Sequence, residues 1–211
     1  MQERLSSQNR QSRFSQFIKL VCIIGIFPIF VGFIKGLLFE IKELGALFHN
    51  SLYWGIASYL LLHIFLIEPL KFYKKTQRFL QVIFGFFSPL FRVSYYIIPF
   101  WIIILIILYL ILCKVFEWEG VKFLFFFFSG FLFSMHIVCV AKILKVDELR
   151  RLVDYLFMIL IVLIINVFFF AFNLKLYSSQ FSVRNVGKEG IDSGVNLGRI
   201  ILEQLFIPKA K

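Results

Sequence analysis

The sequence predicts an all-α fold: a multi-pass transmembrane helical bundle of about five spans plus a short interfacial or re-entrant segment. Three observations predict it. The chain is 60% hydrophobic with a mean hydropathy of +0.87, well above the roughly 45–50% apolar content of soluble domains. Several apolar runs approach or exceed the ~18 residues that suggest a bilayer-crossing helix. Lys and Arg collect at the ends of those runs, as membrane orientation requires. The chain divides into a cytoplasmic N-terminal tail (1–16), a helical bundle (17–176) and a polar C-terminal tail (177–211).

Polar, basic residues up to Lys19 precede the first span, about Phe17 to Phe39. No small-x-small cleavage site follows its apolar core, so it reads as an uncleaved helix. Gly25, Gly32 and Gly36 fall on much the same face. Small residues let helix backbones approach closely where water supplies no driving force. Packing within the bundle explains them more simply than a dimer seam.

The second span, about Leu47 to Ile67, holds His63 and ends at Glu68-Pro69. A basic connector follows, with Lys71, Lys74, Lys75, Arg78 and Arg92. Within it Phe79 to Phe91 would be only about 20 Å long as a helix, short of a ~30 Å hydrocarbon core. Gly85, Ser88 and Pro89 interrupt it further, which predicts an interfacial or re-entrant piece.

The third span runs from about Val93 to Cys113 behind an aromatic belt of Tyr95, Tyr96 and Trp101. The fourth, about Phe123 to Val140, contains His136. A second basic link with Lys142, Lys145, Arg150 and Arg151 leads to the fifth, about Tyr155 to Phe172, which contains Asn166. Beyond Asn173 the chain turns polar and is punctuated by Gly187, Gly190, Gly194 and Gly198. A flexible tail is expected there, with one or two turns of surface helix near Ile200 to Ile207.

Charge sets orientation. The N-terminal tail and the two basic links carry 13 Lys and Arg, against four in the opposite loops. Positive charge stays inside, so the N-terminus is expected in the cytoplasm and the C-terminus outside the inner (cell) membrane. The net charge of +11 is accounted for by anionic lipid headgroups at the span ends, with no nucleic-acid partner. Cys22, Cys113 and Cys139 lie within or at the end of apolar runs and have neither disulfide-framework nor zinc spacing.

Chemistry has few places to reside. His63, His136 and Asn166 lie at membrane depth and Asp154 at its edge. Ionisable groups there are costly and often mark function. His63, His136 and Asp154 are the candidate metal ligands, with zinc the ion considered, since three ligands and one open position suit it. No pair has the short helical spacing of HExxH, so a packing role is preferred and no cofactor is predicted. GxSxG, Walker and Rossmann patterns are absent.

One resemblance covers Tyr53 to Phe172. A span ending in Leu70-Lys71-Phe72-Tyr73 is followed by a short amphipathic piece and then Ser94-Tyr95-Tyr96-Ile97-Ile98-Pro99-Phe100-Trp101. Later come Met135-His136-Ile137-Val138, Asp154-Tyr155-Leu156-Phe157 and Asn166. In this order the chain resembles the site-2-protease-like membrane metallopeptidases. The resemblance implies an HExxH just after Tyr73, where this chain has Lys74-Lys75-Thr76-Gln77-Arg78-Phe79. Neither the histidine ligands nor the glutamate base carries over, so a relative without catalysis is implied.

The reading is therefore a non-enzymatic membrane subunit or scaffold that engages a membrane-protein partner or a second copy. A degenerate metallopeptidase homologue and a small-solute transporter or permease component are the alternatives. For the connector, cysteines at Gln81 and Ser88 should both react with a thiol reagent supplied from the cytoplasmic side. Labelling of either from the outer side only would remove the interfacial segment.

Overall fold

A computed structural model describes residues 2–65, 99–115, 119–144 and 152–206. Among these residues the chain is helical, without strands. The helices are α1 (Gln2–Lys42), α2 (Ala46–Phe65), α3 (Phe100–Tyr109), α4 (Lys122–Ile143), α5 (Leu152–Tyr177) and α6 (Val183–Phe206). A π-helical turn, Leu110–Val115, prolongs α3, and a 3₁₀ turn, Glu119–Val121, leads into α4. The connector from Lys71 and the Phe79–Phe91 segment lie outside the described residues.

Among the described residues three helices are long and apolar enough to cross a bilayer: Phe14–Lys42, Lys122–Lys142 and Leu152–Tyr177. A shorter apolar helix runs from Phe100 to Leu112. The 20-residue α2 is about 30 Å long at ~1.5 Å per residue, but His49, Asn50 and His63 dilute its apolarity. Large apolar side chains on α1, among them Phe14, Phe17, Ile24, Phe27 and Phe39, are exposed. In water that surface would be unfavourable; against lipid tails it is not.

Contacts reveal the direction of each helix. A tight turn at Glu43–Gly45 sends α2 back along α1, closed by Leu44 N–H to the Ile41 carbonyl at 3.2 Å. Helices α1 and α5 run parallel, since Lys19 meets Asp154 and Phe33 meets Phe168. Helices α2 and α4 are also parallel, with Phe48 on Phe126 and Tyr59 on Phe131. Helices α4 and α5 are antiparallel, joined at Ser129–Asn173, Phe133–Phe170 and Ala141–Tyr155. Each direction alternates as an up-and-down bundle demands.

The main core gathers Phe33, Leu37 and Ile41 of α1, Phe125 and Phe126 of α4, Phe170 and Leu174 of α5, and Phe181 and Val186 beyond it. A second cluster, around Tyr59, Met135, Cys139 and Val162, fills the opposite end. Glycine decides two of the interfaces. A Cβ at Gly55 would strike the Phe127 carbonyl and one at Gly130 the Leu52 carbonyl, so α2 and α4 are in backbone contact. A Cβ at Gly32 would strike the Gly190 carbonyl of α6. One at Gly36 would lie 2.7 Å from the Val186 carbonyl, and one at Gly194 2.7 Å from Ile29 Cα. Gly25 departs from the expectation: nothing lies within 4 Å of its Cβ position, and it faces open space beside α6.

The largest difference from the sequence reading is α6 itself. In place of a flexible tail, Val183–Phe206 forms a continuous 24-residue helix packed antiparallel along α1. Its contacts run from Glu40 with Asn185, through Gly36 with Val186 and Gly32 with Gly190, to Ile29 with Gly194. Glu203 and Ile24 line one groove, so α6 ends at the end of the bundle where the apolar stretch of α1 begins. Low hydrophobicity hid the helix, because its apolar residues form a stripe and no run.

The glycine seam yields a graded expectation. Gly32→Ala should destabilise the detergent-solubilised protein by about 1–3 kcal/mol, as overpacking does, while Gly25→Ala should stay within about 0.5 kcal/mol of wild type. Thermal unfolding of the two variants compares them directly. Equal effects would mean that α6 does not lie on this face.

Candidate functional site

The polar groups read from the sequence occupy separate places. His136 is buried on α4, and Asn166 turns its amide back to donate to the Val162 carbonyl at 2.9 Å within α5. His63 stacks on Tyr59 with ring centroids 5.7 Å apart. Its Nδ1 is enclosed without a hydrogen-bond partner among the described residues, and the Tyr59 hydroxyl lies beside the Cys139 thiol. Asp154 accepts from Lys19 Nζ at 2.8 Å, a contact between α1 and α5. Lys19 reaches the carboxylate on a long flexible stem. Among the described residues no three His, Cys, Asp or Glu side chains are grouped to hold a metal ion. His63, His136 and Asp154 are therefore not brought together.

Other polar residues, which sequence reasoning passed over, carry the structure. Asn173 donates to Ser129 Oγ at 2.8 Å in the buried α4–α5 seam. Glu40, which in sequence directly follows the apolar run of the first span, is only 3% exposed. Its Oε2 accepts from the Ser182 backbone N–H at 2.8 Å and its Oε1 from Asn185 Nδ2 at 2.9 Å. Ser182 is the N-cap of α6: its carbonyl accepts from Val186 N–H and its Oγ from Asn185 N–H at 3.2 Å. A carboxylate is thereby held against the positive end of a helix dipole, which stabilises both. A signal for this existed in the sequence, since Ser182 precedes Val186, Gly190 and Gly194 at helical spacing.

With one face on α1, α6 presents the other outward. Arg184, Asn185, Lys188, Glu189, Asp192, Asn196, Arg199 and Glu203 are all exposed there. Arg199 Nε donates to Glu203 Oε1 at 2.7 Å across one turn, in an exposed pair, a geometry that contributes little on a surface. Beside this face a groove of about 650 Å³ opens between α1 and α6, floored by Gly25, Pro28 and Gly198. It contains no nucleophile–base pair and no set of convergent donors. Comparison with protein-family models, with curated proteins and with solved structures yields no match.

Removal of the Glu40 acceptor should loosen the start of α6. Glu40→Ala is expected to cost about 1–3 kcal/mol, the penalty for leaving buried donors unsatisfied, and to speed amide hydrogen exchange across Ser182–Val186. Glu40→Gln, which keeps an acceptor oxygen, should lie between the two. Unchanged exchange in the alanine variant would remove Glu40 from this role.

Proposed function

We propose that this chain is a non-enzymatic, multi-pass subunit of the inner membrane, in which α1 to α5 provide five crossings. In this reading α6 follows α1 back through the bilayer and offers its polar face to a membrane partner. The alternation of helix directions supports the crossings, since parallel α2 and α4 need one passage between them, which α3 supplies. The single observation that carries the docking role is the exposed polar face of α6 beside the apolar α1. A charged group at mid-bilayer costs about 2.5–3.5 kcal/mol on insertion scales. Such a face needs water or protein against it.

A small-solute transporter or permease component is the second reading, favoured by the length of the face. Arg184 to Glu203 spans about 28 Å of helix at ~1.5 Å per residue, nearly the ~30 Å of a hydrocarbon core. A polar stripe of that reach forms a path as readily as a docking surface. With the N-terminus cytoplasmic by its basic residues, the end of α6 is cytoplasmic as well. Reporter fusions after Lys211 and within the connector at Thr76 should then report the same side. Opposite sides would take α6 off α1 and out of the membrane.

A further inference from the structure

Between its seam with α1 and its polar face, α6 carries an apolar strip. Gly187, Ile191, Val195 and Gly198 follow one another at helical spacing, which places them along one side of the helix. Ile191 and Val195 are 54% and 63% exposed, and nothing lies within 4 Å of a Cβ built at Gly187 or Gly198. The groove of about 650 Å³ opens where this strip meets α1, and its opposite wall is Ile24, Gly25, Pro28 and Ile29. The charged side chains that line it, Arg199 and Glu203, are paired with each other.

Depth and length identify what fits this groove. Pro28 is the midpoint of the apolar stretch Phe14–Lys42, so in a bilayer the groove starts near the midplane. From Gly194 to Glu203 it follows α6 for about 14 Å at ~1.5 Å per residue, toward the end where that stretch of α1 begins. Half of a ~30 Å hydrocarbon core is about 15 Å. The groove thus runs along the membrane normal through the depth of a single leaflet. Water suits such a lining poorly, because a buried water needs roughly two to four polar partners. We propose that the groove holds an acyl chain of a phospholipid from the leaflet nearest the N-terminus of α1. The chain lies lengthwise over the backbone at Gly25 and Gly198 and gains dispersion contact with both helices at once. These two glycines take no part in the α1–α6 seam; they open the floor of the groove. Lipid held there covers the apolar side of α6 and leaves its polar side to the partner. This inference rests on the function proposed above, in which α6 lies along α1 within the bilayer.

The test uses the full-length chain in vesicles of phosphatidylcholine and phosphatidylglycerol containing a trace of phosphatidylcholine with a mid-chain diazirine. After irradiation, adducts are mapped by peptide mass spectrometry. The reference is Phe27, half exposed on α1 at the same depth as the groove. Adducts on Pro28, Ile29 and Val195 are expected at least about five-fold above those on Phe27, the ratio that ~1 kcal/mol of preference gives. In the double variant Gly25→Leu, Gly198→Leu, side chains fill the groove and its adducts should fall to the Phe27 level. A Cβ at either position meets no neighbour, and leucine favours helix over glycine, so the variant retains the fold. Equal labelling of the groove and Phe27 would overturn the lipid site, as would groove labelling that the double variant leaves unchanged. Labelling by a diazirine fatty acid but not by the phospholipid would overturn it in favour of a free single-chain molecule. Groove protection with a dimeric mass that the double variant makes monomeric would give the groove to a second copy. No adducts on Phe27 or in the groove would overturn the membrane position of the bundle itself. A reporter after Lys211 on the outer side would overturn the course of α6, and the lipid site with it.

Discussion

The carboxylate of Glu40 anchors one end of the long seam between α1 and α6. It is charged, almost fully buried, and placed where the α1 helix ends and the chain has yet to turn. A group of that kind must be satisfied or it is strongly unfavourable. Here two donors from one short stretch, the Ser182 N–H and the Asn185 amide, fill its two oxygens. The bond geometry sets the register of α6 on α1, and the glycines set the distance. Gly32, Gly190 and Gly194 remove the Cβ atoms that would hold the two backbones apart. Neither part suffices alone: small residues permit contact at many registers, and one carboxylate cannot keep two long helices together.

The rest of the bundle follows a similar division of labour. The α2–α4 seam rests on Gly55 and Gly130, and the α4–α5 seam on the Asn173–Ser129 hydrogen bond and the stacked Phe133 and Phe170 rings, 4.1 Å apart at their centroids. In lipid the apolar effect does not discriminate between protein and solvent, so close packing and buried polar pairs do. The Phe-rich composition then serves shape. Tyr109, Phe125, Phe126 and Tyr177 pack as mutually inclined rings, which is the favoured arrangement for aromatic quadrupoles.

The membrane class was legible in the sequence because it depends on sums: hydropathy over windows and basic residues counted by loop. The helical cores of the first, fourth and fifth spans were legible for the same reason. Gly32 and Gly36 were recognised from spacing as packing residues, although their partner helix was not. Gly25 shares their face by spacing but lies beyond the point where Gly194 is nearest α1, and no local pattern reveals where a neighbour ends. Glu40 gives no local sign of its burial because its partners stand 142 and 145 positions away. Lys19 and Asp154 were each assigned to a membrane edge, yet their pairing depends on α1 and α5 being neighbours. α6 was missed for a different reason. Its stripe of Val186, Gly190 and Gly194 is made of small residues, which hydropathy scarcely weighs.

The seam between α1 and α6 also has a consequence in time. During synthesis α1 enters the membrane some 140 residues before its packing partner exists. Through that interval its glycine face must sit against lipid or another helix, and the bundle cannot close. Long-range contacts of this kind form late. In the proposed arrangement α6 is too polar to partition on its own and enters only against a surface already waiting for it. Maturation is thereby tied to the final stretch of translation, and a chain released before Ser182 would display an unfilled α1 face to whatever quality control patrols the bilayer.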